Sequence, residues 1–290
     1  MFPPAVDHLS CPHCGAGLSV AGRTLGCSHG HRFDIARHGY VNLATGRGPH
    51  HAGDSAAMVA ARERVQARGH LAAIADAAAS MAAQAVSERA DDGGAVVELG
   101  AGTGYHLRTV LDRLPARPGI ALDASRYACR RAAKAHPRVA AGVCDVWTQV
   151  PVRTASAVVI LDVFAPRNGP EIRRILSDSG VLVVVSPTSE HLQEIVGPLG
   201  LITVDPDKQT RVAAQLDPHV TLAESRTVTY RVPLDHDAVR DIVAMGPTAH
   251  HLDEPGSGAT GRLTDAIAGL TQPVATTMSV TVSRYHPRGP

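Results

Sequence analysis

From residue 95 the chain reads Ala95-Val96-Val97-Glu98-Leu99 and passes directly into Gly100-Ala101-Gly102-Thr103-Gly104. A short apolar run ending in alternate glycines is a buried strand that delivers a tight turn. Glycine takes positive φ without steric cost and lets backbone N–H groups come close to a ligand at a helix N-terminus. Further short apolar runs follow at Gly119–Leu122, Val139–Val143, Ala157–Leu161 and Val181–Val185, separated by helical stretches. Strands apolar on both faces belong to a parallel sheet covered on both sides, so the pattern predicts an α/β fold with a doubly wound sheet. Two segments of strand period, 218–233 and 274–285, flank a helix over Asp235–Met245 and are expected to complete that sheet. The loop from Pro247 to Gly261 is expected to cover the site.

What the glycine turn holds is narrowed by the acids that follow. Asp123 ends the second strand, where a carboxylate can accept from both hydroxyls of a ribose. Asp145 follows the third, placed to accept from an adenine amino group, with Trp147 two residues on as a ring contact. A dinucleotide fingerprint has two residues between its second and third glycines, whereas here only Thr103 separates Gly102 from Gly104. The Glu-x-Gly-x-Gly-x-Gly form resembles the first motif of class I (Rossmann-like) S-adenosylmethionine-dependent methyltransferases. Glu98, Gly100, Gly102, Thr103, Gly104, Asp123 and Asp145 are therefore candidate cofactor residues. The fourth strand runs into Leu161-Asp162-Val163-Phe164, where such enzymes meet the group to be methylated. Asp162 is the candidate base or amino-group acceptor, and Phe164 the candidate stacking platform.

Three of the five cysteines lie in the spacing Cys11-x2-Cys14-x12-Cys27-x3-His31. Two close pairs let soft ligands converge on one tetrahedral Zn²⁺, with His29 a rival for the fourth place. Four protein ligands leave no open position, which predicts a structural metal. A segment this small has little apolar mass, so metal binding, worth about 10–16 kcal/mol in zinc-finger peptides, would supply its folding energy. The expected organisation is a zinc-binding module over residues 1–45, a helical linker over 46–93 with helices near Ser55–Arg68 and His70–Arg89, and a catalytic domain over 94–290.

With 28 basic and 27 acidic residues the net charge is +1, which argues against a protein that coats a polyanion. Charge is uneven, however: residues 1–70 carry seven arginines against four acids. No apolar stretch approaches the ~20 residues of a membrane span. Met1-Phe2-Pro3-Pro4 has neither the basic nor the apolar region of a secretory signal, so the expected compartment is the cytoplasm.

Several blocks extend the resemblance along the chain: Cys11-Pro-His-Cys14, Gly39-Tyr40-Val41-Asn42-Leu43, Asp54-x3-Met58-Val-Ala-Ala-Arg62, Val163-Phe164-Ala165-Pro166-Arg167-Asn168, His191-Leu192 and Val243-Ala-Met245-Gly-Pro247. In these the sequence resembles the RlmA-type 23S rRNA (guanine-N1)-methyltransferases, and within them the TlrB-type tylosin-resistance branch of actinobacteria. The resemblance implies methyl transfer from S-adenosylmethionine to N1 of one guanine in a hairpin lining the peptide exit tunnel. In that branch the methyl weakens binding of a tylosin-like macrolide. It also implies that Cys11, Cys14, Cys27 and His31 hold zinc and that Thr103, Gly104 and His191 touch the cofactor. Leu71 stands where the family has a cofactor-contacting tyrosine, and His250 where it has an aromatic residue. Arg32, Arg37, Arg47, Arg62, Arg64 and Arg68 would then form one wall of an RNA groove, with a homodimer as a means of doubling the basic surface. A small-molecule methyltransferase of a macrolide pathway and an inactive zinc-ribbon RNA-binding protein are the competing readings.

Overall fold

The computed structural model describes residues 4–46, 53–89, 93–201, 214–246, 248–249 and 259–289. Arg47, His250 and most of the loop expected over 247–261 lie outside these residues. The N-terminal part holds a 3-10 turn at Pro4–His8 and the strands β1 (Ser19–Ala21), β2 (Thr24–Gly26), β3 (Arg32–Asp34) and β4 (Tyr40–Asn42). Helices α1 (Ala56–Ala67) and α2 (Ala72–Ser87) follow. Next come β5 (Ala95–Leu99), α3 (Tyr105–Arg113), β6 (Gly119–Asp123), α4 (Arg126–Ala132), β7 (Val139–Val143), β8 (Ala157–Val163), α5 (Gly169–Ile175), β9 (Leu176–Pro187) and α6 (Gln193–Val196). Strand β10 (Val220–Leu234), α7 (His236–Ala244), α8 (Ala259–Ala268) and β11 (Val274–Pro287) complete the chain.

Strands β5, β7 and β8 are buried along their whole length, as expected for a sheet covered on both faces. The eight-stranded sheet has the order β10-β11-β9-β8-β5-β6-β7-β4. Its strands from β4 to β9 pair in parallel, and β11 and β10 add antiparallel at the far edge. The chain moves one way from β5 through β6 to β7, then returns to the other side of β5 at β8. A crevice opens at such a reversal, at the carboxyl ends of the strands. Helix α5 feeds β9 without a loop: Ile175 ends the helix and Leu176 begins the strand.

The two faces are covered by different means. One core cluster joins the sheet to α2, α3 and α7 through Ile74, Leu107, Val110, Leu111, Val239 and Ile242. The opposite cluster contains Leu9, Cys11, Leu18 and Leu25 of the N-terminal segment, packed with Val150, Val152 and Leu176. Between β7 and β8 the connection carries no helix, and the N-terminal segment lies against it. Leu9 bridges Val152, the Ser10 N–H donates to Pro151 O, and the Arg153 N–H donates to His8 O. Residues 40–42, inside the stretch read as a separate module, are the parallel edge strand beside β7. The short antiparallel sheet β1-β2-β3 is separate from the large sheet, and Leu25 of β2 is buried in the core cluster on this face.

Candidate functional site

The cysteine pairs and His31 converge as their spacing predicts. The ligand atoms of Cys11, Cys14, Cys27 and His31 all lie within 4.8 Å of one another. His31 Nδ1 is 3.5 Å from Cys11 Sγ and 3.4 Å from Cys27 Sγ, and Cys14 Sγ is 3.7 Å from Cys27 Sγ. Three sulfurs and one imidazole nitrogen at tetrahedral edge lengths suit Zn²⁺. His29 approaches only the outer member, with Nδ1 3.5 Å from Cys14 Sγ. Burial pushes the Cys27 thiol up, but backbone N–H groups of His29 and His31 and the His31 ring bring it down to about 6, toward the thiolate that binds metal.

At the crevice, Gly100, Gly102 and Gly104 all have positive φ, of 65°, 55° and 76°. A Cβ on Gly100 would meet the Ala165 Cβ at 2.6 Å, so glycine permits the loop after β5 to close on the turn after β8. Glu98 faces inward: its buried carboxylate accepts from the Leu107 N–H at 3.1 Å and satisfies the first turn of α3, whose N-cap Gly104 has no side chain to do so. Burial, with the nearby Asp123 and Asp162 charges, raises its carboxyl well above the usual range.

Asp123 accepts from the Gly102 N–H at 2.8 Å and from the Ser125 N–H at 2.7 Å, one bond per oxygen. Each oxygen keeps a lone pair for a ribose hydroxyl. Burial pushes this carboxyl up against those two bonds. Asp145 is buried and accepts from the Trp147 N–H at 3.0 Å, while the Trp147 ring is exposed. The Thr103 hydroxyl donates to Gln66 Oε1 at 2.7 Å. Leu71 is buried in the cluster that also contains Ala101, so it supports the site by packing.

Phe164 has φ of 55°, which is uncommon for a bulky residue, and the residue is 41% exposed. Its N–H donates to Val185 O at 3.1 Å. His191 joins it across the crevice, with ring centroids 5.9 Å apart. His191 Nδ1 accepts from the Ser279 N–H at 3.2 Å, which leaves Nε2 as the donor of the neutral ring. Asp162 differs from its expectation as a base. Its side chain is wholly buried and faces Arg167, whose guanidinium lies 3.3 Å away and also donates to Ser186 Oγ at 2.9 Å. This burial and the facing guanidinium distinguish it from a carboxylate exposed at the crevice.

The arginines of α1 enter ion pairs within the fold. Arg64 binds Asp241 through Nε and Nη2, at 2.6 to 3.0 Å, and Arg68 pairs with Asp235 at 2.8 Å. These pairs clamp α1 to α7. Arg62 turns toward the glycine loop, its Cδ 3.6 Å from where a Gly102 Cβ would stand. Its Nη2 donates to Asp54 and to Met245 O, while its buried Nε has no hydrogen-bond partner among the described residues. Sequence reasoning missed Arg62 and Gln66 at this site, although their i, i+4 spacing put both on one helix face. An orphaned guanidinium N–H beside a glycine cradle fits the carboxylate of the methionine moiety, and Asp123 fits the ribose, so the residues present suit S-adenosylmethionine.

A protein of Micromonospora griseorubida named as a 23S rRNA (guanine-N1)-methyltransferase is 48% identical over 301 aligned positions, covering 99% of this chain and all of the relative. The chain belongs to the 23S rRNA (guanine-N1)-methyltransferase family. Within this family, a Streptomyces fradiae protein named as 23S rRNA (guanine(748)-N(1))-methyltransferase is 46% identical, covering 86% of this chain and 88% of the relative. A Bacillus subtilis member is 30% identical over 82% of this chain and 86% of its own length. Residues 9–44 match the zinc-ribbon family described as RlmA, N-terminal. Among solved structures, the YcgJ protein of Bacillus subtilis aligns with a TM-score of 0.47 at 14% identity, covering 73% of this chain and 99% of that one. No described helix of this family member is long and apolar enough to cross a membrane.

Proposed function

We propose that the chain transfers a methyl group from S-adenosylmethionine to N1 of one guanine in a 23S rRNA hairpin lining the peptide exit tunnel. The name of the Streptomyces fradiae relative points to guanine 748. The resulting methyl would lower sensitivity to a tylosin-like macrolide. Near-full-length identity of 48% to a protein named for guanine-N1 methylation of 23S rRNA carries the reading.

When bound, S-adenosylmethionine supplies an electrophilic methyl group. Asp123 would hold its ribose, Arg62 its carboxylate, and the Gly100–Gly104 loop would pass beneath it. Phe164, exposed at the crevice, offers a face on which an unstacked guanine can rest. His191, whose ring lies 5.9 Å from that of Phe164, would help to orient the base or the cofactor. Asp162 acts at one remove by fixing Arg167 under the Phe164 turn. Guanine N1 carries a proton at neutral pH, which would pass to solvent as N1 takes the methyl and the sulfonium becomes a neutral thioether, and holding the reactants in near-attack geometry would supply much of the acceleration.

The zinc ribbon has a structural task whatever the substrate, so its presence alone does not separate an RNA substrate from a macrolide. Tritiated-methyl transfer offered to 23S rRNA and to a panel of macrolides in parallel separates the two. Label in the RNA supports this reading, and label in a macrolide alone overturns it.

A further inference from the structure

With Arg62, Arg64 and Arg68 engaged by Asp54, Asp241 and Asp235, the near-neutral chain must hold its RNA with other cations. Helix α4 provides them. Its N-cap Ser125 stands next to the Asp123 end of β6, so the helix starts at the cofactor end and runs toward Pro137, at the opposite end of the sheet. Arg126 and Arg130 share one side of it, Lys134 stands in the turn just after its C-cap Ala133, and all three are exposed. Arg131, on another side, is paired with Glu63 at 3.1 Å. Among the described residues no carboxylate pairs with Arg130, Lys134 or Arg37.

The turn between β3 and β4 faces the same strip. His38 lies within electrostatic reach of Arg130, Arg37 and Lys134, and its basicity is lowered by burial and then by those three charges. A groove of about 300 Å³ lies between the ribbon and the start of β7, lined in part by Arg23, Arg37 and His136. Cations from two parts of the fold, distant in sequence, thus form a strip that starts at Arg126, near the cofactor end, and runs along α4 to the groove at its far end. Such a strip matches a chain of regularly spaced phosphates more closely than it matches a single small anion.

We propose that the seam between the zinc ribbon and α4, carrying Arg23, Arg37, Arg126, Arg130 and Lys134, is the track along which the phosphodiester backbone of the RNA substrate lies. The inference rests on the reading of the chain as an rRNA methyltransferase and names the surface that reading requires. It gives the ribbon a second task, since its β3–β4 turn supplies one bank of the track.

The test uses the full zinc-loaded chain and a transcript of the 23S rRNA domain that contains the target hairpin. Binding of the wild type, the Arg130→Ala/Lys134→Ala double variant and Arg64→Ala is followed across a salt series. Loss of two phosphate contacts should flatten the plot of log K against log salt by about 1.4 to 1.8. KM for RNA should rise, while kcat at saturating RNA and calorimetric cofactor affinity stay at wild-type values. Arg64→Ala should leave the slope unchanged. An unaltered slope in the double variant, or a change confined to Arg64→Ala, would overturn the surface while wild-type methylation of the transcript still upheld the reading of function. Salt-independent binding by the wild type, with no methylation, would remove both.

Discussion

The two faces of the central sheet are buried by unlike routes. On one, α2 lays Ile74, Ala78, Met81, Ala82 and Ala85 against the strands, a continuous apolar surface built from helical period. On the other, three-residue strands and a 3-10 turn contribute scattered side chains such as Leu9, Leu18 and Leu25, held in place around four metal-ligating residues. The ribbon occupies ground that a helix of the β7–β8 connection would otherwise cover. What a helix obtains from propensity and an apolar stripe, the ribbon obtains from coordination, because three-residue strands cannot order themselves on hydrophobic burial alone. Metal and catalytic fold are therefore expected to stand or fall together.

Removing the metal should break this arrangement most severely. Chelation, or Cys14→Ser, should deprotect residues 9–35 in hydrogen exchange and also loosen β7 and β8, whose outer face would lose Leu9 and Leu25. Thermal unfolding should remain a single transition at a lower temperature. Two separate transitions, with β7 and β8 fully protected after chelation, would show that the ribbon is an appended domain and contradict the comparison.

On the helix-covered face the expected effect is smaller and confined to the cofactor. Asp123→Ala should weaken S-adenosylmethionine binding by about 1.5–3 kcal/mol, the range for hydrogen bonds to a charged group, and leave zinc content unchanged. Calorimetry on the folded variant checks this, and unaltered affinity would remove Asp123 from the ribose site.

The smallest effect is expected at Glu194, which ties α6 to β11. Its carboxylate accepts from the Thr277 N–H at 2.8 Å, the Thr277 hydroxyl at 2.6 Å and Arg231 at 3.2 Å. Partial burial pushes the group up, but these bonds bring it down to about 2 from an ordinary 4.5. A folded-state value below the unfolded one means that the contribution is complete above about pH 4.5 and is lost as pH falls toward 2. Glu194→Gln should cost about 1 kcal/mol at pH 7 and flatten this acid limb of a melting-temperature profile. A profile parallel to that of the wild type would mean that Glu194 does not carry the acid dependence.

How far the sequence could be read follows from the same contrast. Strands β5 to β8 were legible because burial on both faces leaves an unbroken apolar run. Strand β4 was not, since Tyr40-Val41-Asn42 is too short to display a period and its partner Ala141 lies about a hundred positions away. The zinc ligands were legible because coordination geometry imposes close spacing, and Asp123 because the end of its strand fixes its place. The pairing of Arg64 was not legible, because its partner Asp241, 177 residues distant, has no local signature. Asp162 was given proton transfer for a related reason: the sequence shows a carboxylate at the end of β8 but not Arg167 folding back over it.

The most direct measurement of the central claim is primer extension on 23S rRNA incubated with the zinc-loaded chain, with and without S-adenosylmethionine. A methyl on guanine N1 blocks Watson–Crick pairing and halts reverse transcriptase. The account predicts one new stop, at a single hairpin guanine, that requires the cofactor and disappears in Asp123→Ala at limiting cofactor. No stop at any guanine, with the methyl recovered instead on a macrolide, would contradict it.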